Sequence, residues 1–136
     1  MELVTLDEAR AHLRLDADSA GGPDDAWLAL FIPAVSGAVA QWMKEEWRMY
    51  VPEVDSAGDI VLDSAGNPIP ALDSSGMPIL LPQVRAAVLL ELASLYRYRD
   101  GEGVDNVVQA HEGYGYALNK ASTAILSALR KPTLAP

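Results

Sequence analysis

Apolar residues return at helical spacing in four stretches of this chain, and alternate with turn-forming residues in a fifth. The strongest helical stretch opens at Pro82. Val84, Val88, Leu92, Leu95 and Tyr96 mark one of its faces and Ala86, Leu89, Leu90 and Ala93 a second, leaving Arg85, Glu91, Arg97 and Arg99 as a narrow polar edge. A rod apolar around most of its circumference has to be wrapped by other helices or by neighbouring subunits. It is expected to run to Arg99 or Asp100, where Gly101-Glu102-Gly103 ends it. Near the N-terminus, Thr5-Leu6-Asp7-Glu8 reads as a capping box that starts a short helix to about Leu13, with Leu6, Ala9 and Leu13 on one face and Leu15 tucked under. Pro23-Asp24-Asp25 opens a second helix, with a stripe of Trp27, Phe31, Val35, Ala38 and Trp42 that carries it to about Trp47. Pro33 inside it costs roughly 3 kcal/mol if uncompensated and predicts a bent helix of two segments, or alternatively a break at Ile32. A last helix is expected over Leu118 to Arg130, burying Ala121, Ile125, Leu126 and Leu129 before Pro132 stops it.

Residues 51–81 follow another rule. Val54-Asp55-Ser56-Ala57-Gly58, Leu62-Asp63-Ser64-Ala65-Gly66 and Leu72-Asp73-Ser74-Ser75-Gly76 repeat one pattern that sets Asp and Gly where tight turns want them. Short β-prone pieces lie at Asp59–Leu62, Pro68–Leu72 and Met77–Leu81, so the segment reads as a β-hairpin arm projecting from a helical body. Long excursions of this kind are often functional, and contact with another subunit is the function expected of it. Residues 104–116 read as a loop anchored by Tyr114 and Tyr116, and residues 131–136 as an extended tail. The fold class expected is therefore mainly α: a single domain over 1–136, a small bundle of about four helices with an inserted β-hairpin arm.

Charge sharpens this picture. The chain of 136 residues carries a net −9, and residues 51–82 hold five acids and no base, while residues 83–136 carry five acids and six bases. No basic stripe of the kind that displaces counterions from phosphate is readable, which disfavours sequence-specific binding of DNA. The chain has no cysteine, so disulfides and thiolate metal sites are excluded. Glu2, Asp7 and Glu8 stand where a signal peptide would be basic, and the apolar runs read as interrupted short of the roughly 18 residues of a bilayer span.

Candidate chemistry is sparse. His12 and His111 belong to no metal-ligand spacing, no serine lies in a Gly-x-Ser-x-Gly elbow, and no glycine-rich loop ends in lysine to cradle a phosphate. The Asp repeats offer one or two carboxylates each, too few for calcium's six to eight oxygens. The acid pairs Asp24-Asp25 and Glu45-Glu46 are expected to be solvated. Trp27 and Trp42 read as core, while Trp47, with Met49 and Tyr50, suits an interface patch. Arg97, Arg99, Arg130 and Lys131 complement helix C-termini, or else dock an acidic surface.

The order of these features resembles a known family. The opening Val4-Thr5-Leu6-Asp7-Glu8-Ala9-Arg10-Ala11-His12-Leu13-Arg14-Leu15-Asp16, the Asp24-Asp25 helix start, the Leu81-Pro82-Gln83-Val84-Arg85 helix running through Leu95-Tyr96-Arg97-Tyr98-Arg99, and the closing Ile125-Leu126-Ser127-Ala128-Leu129-Arg130-Lys131-Pro132 are together similar to the head-tail connector (adaptor) proteins of long-tailed bacteriophages. The resemblance covers most of the chain outside the repeats. It implies a structural virion protein that forms a ring of about a dozen copies at the neck below the portal, made in the host cytoplasm, with neither catalysis nor cofactor nor metal and no membrane contact. Its partners would be its own copies, the portal protein and the next neck or tail protein, with DNA passing through the lumen without specific binding. By analogy, Arg130, Lys131 and Leu134 would reach the portal. Trp47, Asp63, Asn67, Asp73 and Met77 are candidates for contact with a neighbouring subunit or the next ring. The competing expectation is a small acidic helical enzyme or regulator with an aromatic pocket at Trp27, Trp42 or His111.

Overall fold

Thr5 starts the first helix, α1 (Leu6–Leu13), with the reciprocal bonds its spacing requires: the Glu8 N–H donates to Thr5 Oγ1 at 3.1 Å, and the Thr5 N–H donates to Glu8 Oε2 at 2.8 Å. The helix ends where Arg14 turns left-handed (φ 56°), and the Leu15 N–H reaches back to the Arg10 carbonyl. The computed structural model describes residues 1–98 and 118–132. The expectations for Gly101-Glu102-Gly103, for residues 104–116 with His111, and for Leu134 fall outside the described residues.

Arg10 ties α1 to the next loop and helix. Its guanidinium donates to Asp25, to the Asp16 carbonyl and to Ser19 Oγ, pinning the 16–22 loop, which contains a 3₁₀ turn at Ala17–Ser19. Asp25 also accepts the Gly21 N–H at 2.6 Å. That N–H, ahead of the Arg10 guanidinium, holds its carboxyl below the ordinary value of 3.8. Asp24 accepts the Tyr96 hydroxyl at 2.9 Å. The acid pair expected to be solvated is thus half-buried and bonded.

The second helix, α2 (Pro23–Met43), is continuous through Pro33, which overturns the alternative of a break at Ile32. The carbonyl four residues earlier belongs to exposed Ala29, where water can replace the N–H that proline lacks. Its core face is Leu28, Ile32, Val35, Ser36, Val39 and Met43; Trp27, Phe31, Ala38 and Trp42 are only partly buried. The helix stops at Met43, short of Trp47, because Lys44 takes a positive φ of 69° and turns the chain into a 3₁₀ segment, Glu46–Met49, that buries Met49. Among the described residues, α2 is long and apolar enough to cross a bilayer by length and composition, contrary to the expectation from the sequence. Ser36, Gly37 and Gln41 interrupt its apolar run without adding a charge. Core helices of soluble folds meet the same criterion.

The central helix, α3 (Pro82–Arg97), buries Val84, Ala87, Val88, Glu91 and Leu92, and packs on α1, α2 and the last helix, α4 (Lys120–Leu126). α4 is shorter than expected, and it buries Ser122 where Ala121 was expected; Ala121 is exposed. Glu91, assigned to the polar edge from sequence, is 3% exposed, accepting the Asn119 N–H at 3.0 Å with the Ser122 hydroxyl 3.1 Å away. A carboxylate at the start of α4 complements its dipole and satisfies an amide that the helix leaves unpaired. The bundle closes at the N-terminus, where the Leu3 N–H donates to the buried Ser36 Oγ. The chain is therefore mainly α, with four α-helices among the described residues.

Candidate functional site

The arm is where the structure departs furthest from expectation. Residues 51–81 contain isolated antiparallel bridges and no strands: Tyr50 with Leu80, Pro52 with Pro70, Val54 with Ile60, Leu62 with Pro68, and Leu72 with Pro78. The expected β-hairpin is replaced by three short leaves. Prolines 52, 68, 70 and 78 all sit at bridge positions where no N–H is needed, and between them the backbone changes partner every two residues, so no ladder extends.

The changes of partner close two rings of hydrogen bonds. The Glu53 N–H donates to Ile69 O, Ile69 N–H to Val61 O, and Val61 N–H back to Glu53 O, at 2.8, 3.0 and 3.0 Å. Val51, Ile79 and Ala71 repeat the arrangement: Val51 N–H to Ile79 O at 2.9 Å, Ile79 N–H to Ala71 O at 2.9 Å, and Ala71 N–H to Val51 O at 2.8 Å. Two three-way junctions, joined at the Pro52–Pro70 bridge, hold the three leaves together without a sheet.

Each leaf tip is the same turn. One oxygen of Asp55 accepts the N–H groups of Ala57 and Asp59, one of Asp63 those of Ala65 and Asn67, and one of Asp73 those of Ser75 and Met77, all between 2.8 and 3.0 Å. The glycines 58, 66 and 76 have φ of 88°, 82° and 81°, the left-handed conformation that closes the turn. In the third leaf the Ser75 hydroxyl also donates to Asp73, and this bond together with the Met77 and Ser75 N–H groups holds the Asp73 carboxyl below 3.8.

In an antiparallel bridge the paired side chains project to one face. Val54 with Ile60, Leu62 with Pro68, and Leu72 with Pro78 therefore form an apolar couple on each leaf, and Val54, Ile60, Leu62 and Leu72 are 51–59% exposed. Met77 (61%) and Ile79 (38%) add to them, so six of the nine exposed large hydrophobics among the described residues belong to the arm. A groove of about 250 Å³ between arm and body is lined by Trp47, Tyr50, Ile60, Pro68 and Leu129. Another, about 310 Å³, lies between α1 and the third leaf at Thr5, Tyr50, Met77, Pro78 and Arg85. Burial, and then the Glu46 carboxylate, raise the Tyr50 hydroxyl above 10.0.

The contact candidates from sequence fall into two groups. Asp63, Asn67, Asp73 and Met77 lie on the second and third leaves, where Asp63 and Asp73 build turns and Met77 is open to solvent. Trp47 is half-buried in the groove beneath, its ring covered by the Arg48 guanidinium at 4.5 Å. Arg130 and Lys131 lie at the C-terminal end of α2: Arg130 stacks on Trp42 at 4.5 Å and Lys131 pairs with Glu45 at 2.8 Å. Arg48 also binds Glu45, at 2.7 Å, and Arg48 and then Lys131 hold the Glu45 carboxyl below 4.5. Trp47 Nε1 and Arg130 Nε are buried with no hydrogen-bond partner among the described residues. Of the alternatives for an aromatic pocket, Trp27 stacks on Phe31 at 4.3 Å and meets Tyr96 in a T-shaped contact at 5.5 Å, Trp42 carries the Arg130 guanidinium, and His111 lies outside the described residues; His12 is exposed. Among the described residues no three His, Asp or Glu side chains converge as metal ligands would. Sequence reading missed the junction residues Val51, Glu53, Val61, Ile69, Ala71 and Ile79; the available signal was that Pro52, Pro68, Pro70 and Pro78 all fall on the same alternating set of positions.

No protein-family model, curated protein or solved structure matches this chain.

Proposed function

We propose that this chain is a structural assembly subunit, a phage head-tail connector that packs side by side with its own copies into a ring below the portal and carries the arm outward to a further component. The observation that carries this reading is α2. From Ala26 to Met43 it holds no charged residue, and its outward positions Ala26, Ala29, Leu30, Ala34 and Gly37 are exposed, Leu30 by 68%. A helix of a solitary soluble subunit carries charge on its water face, whereas a helix packed between copies does not. The small residues on that face let a neighbouring backbone come close, and Gly37 has open space where a Cβ would stand. The net charge of −9 fits a conduit wall that repels phosphate and lets a duplex slide.

Negative-stain imaging of the purified chain, alone and mixed with portal protein, tests the reading. Closed rings, alone or seated on portal, are expected. Dispersed single subunits in both samples would refute it.

A further inference from the structure

The arm combines three properties: apolar couples open on every leaf, carboxylates around them, and a backbone fixed by two hydrogen-bonded rings. Such a face loses little conformational entropy when it is covered, because its shape is set beforehand. The charged residues of the arm itself are all acidic, Glu53, Asp55, Asp59, Asp63 and Asp73, with no lysine or arginine from 51 to 82; Arg48 and Arg85 border it from the body, paired there with Glu45 and Glu8. We infer that the three leaves form a docking surface for a basic, amphipathic surface of a protein other than this chain. This rests on the assembly reading above and narrows it, assigning self-contact to the helical body and the arm to the next component.

Charge decides between a second copy and a different partner. Of the net −9, residues 51–82 supply −5 and residues 1–50 another −5, while residues 83–136 carry only +1, so a neighbouring copy offers the acidic arm little positive charge to pair with. The bases of the described body are largely committed within the subunit: Arg10 to Asp25, Arg85 to Glu8, and Arg48 and Lys131 to Glu45, while Arg130 lies flat on Trp42. Apolar side chains ringed by carboxylates fit a partner that presents leucine-like side chains flanked by lysine or arginine.

Isothermal titration of the full chain with three peptides tests this: alternating lysine and leucine, alternating glutamate and leucine, and lysine alone. The lysine–leucine peptide is expected to bind, the other two at least about tenfold more weakly. Two variants carry the assignment to the arm. Val54→Ser/Leu62→Ser/Leu72→Ser removes the apolar couples and Glu53→Lys/Asp59→Lys reverses part of the rim. All five side chains are exposed and none makes a turn bond, so the helical circular dichroism stays as in the parent. Each variant is expected to weaken the lysine–leucine peptide by about tenfold or more. Unchanged affinity in either variant, or equal binding of the glutamate–leucine peptide, overturns the inference. So does loss of the chain's own oligomer in the serine variant, which would mean that a second copy covers the leaves. A chain that assembles with portal yet fails the titrations loses the docking surface alone; one that passes them yet never assembles loses the connector reading alone.

Discussion

Asp73 gathers two backbone N–H groups and a serine hydroxyl on one oxygen, so the charged form of that carboxylate is what the third leaf is built on. Its pKa is lowered on folding, so the stabilisation is fully present above 3.8 and is lost as pH falls through the lower folded value. The protection of the Ser75 and Met77 amides against hydrogen exchange, taken relative to an unfolded chain at the same pH, should therefore fall on acidification below that range before the helical body opens. Glu91 is the buried counterpart. Replacing it with Ala strips the Asn119 N–H of its acceptor, leaves the Ser122 hydroxyl only the Ala87 carbonyl, and should lower stability in urea by about 1–3 kcal/mol, with Glu91→Gln less harmful. The Asp and Gly of the leaves were legible from the sequence, because their role is local. That of Glu91 was not, because its partners lie about thirty residues on, beyond the span that periodicity reads.

Among the elements, what could be read depended on whether a helix has two chemically different faces. The start of α1 was legible because its cap lies within four residues. The rotation of α2 came out partly wrong: Trp27, Phe31, Ala38 and Trp42 were expected at the centre, and Leu28, Ile32, Val39 and Met43 are there. A helix without charge for eighteen residues has no polar face to fix which side turns inward. The arm shows the complementary limit. Its turns could be foreseen, but its junctions depend on backbone partners far along the chain, which side-chain alternation does not encode. Two substitutions separate core from contact face. Leu92→Ala, at 1% exposure, should cost about 2–5 kcal/mol in urea unfolding. Leu30→Ser should change the stability of the isolated subunit by only about 0.5 kcal/mol while impairing assembly.

At the scale of the whole molecule, two surfaces are in excess of what a lone subunit needs: the uncharged outer face of α2 and the apolar leaves of the arm. Their positions suggest a division of labour, with helix-to-helix packing between copies and an acidic, rigid projection toward a different protein. Ala34→Arg tests the first half, since it adds a charge to the middle of the α2 face at an exposed position. The variant should fold as the parent does and fail to associate. Sedimentation velocity of the parent chain and of Ala34→Arg, each with and without portal protein, decides whether this subunit is built to assemble. The parent should run as a ring-sized species, alone or on addition of portal, and the variant as a single-subunit boundary; a parent chain that sediments as one subunit whether or not portal is present would refute assembly through α2.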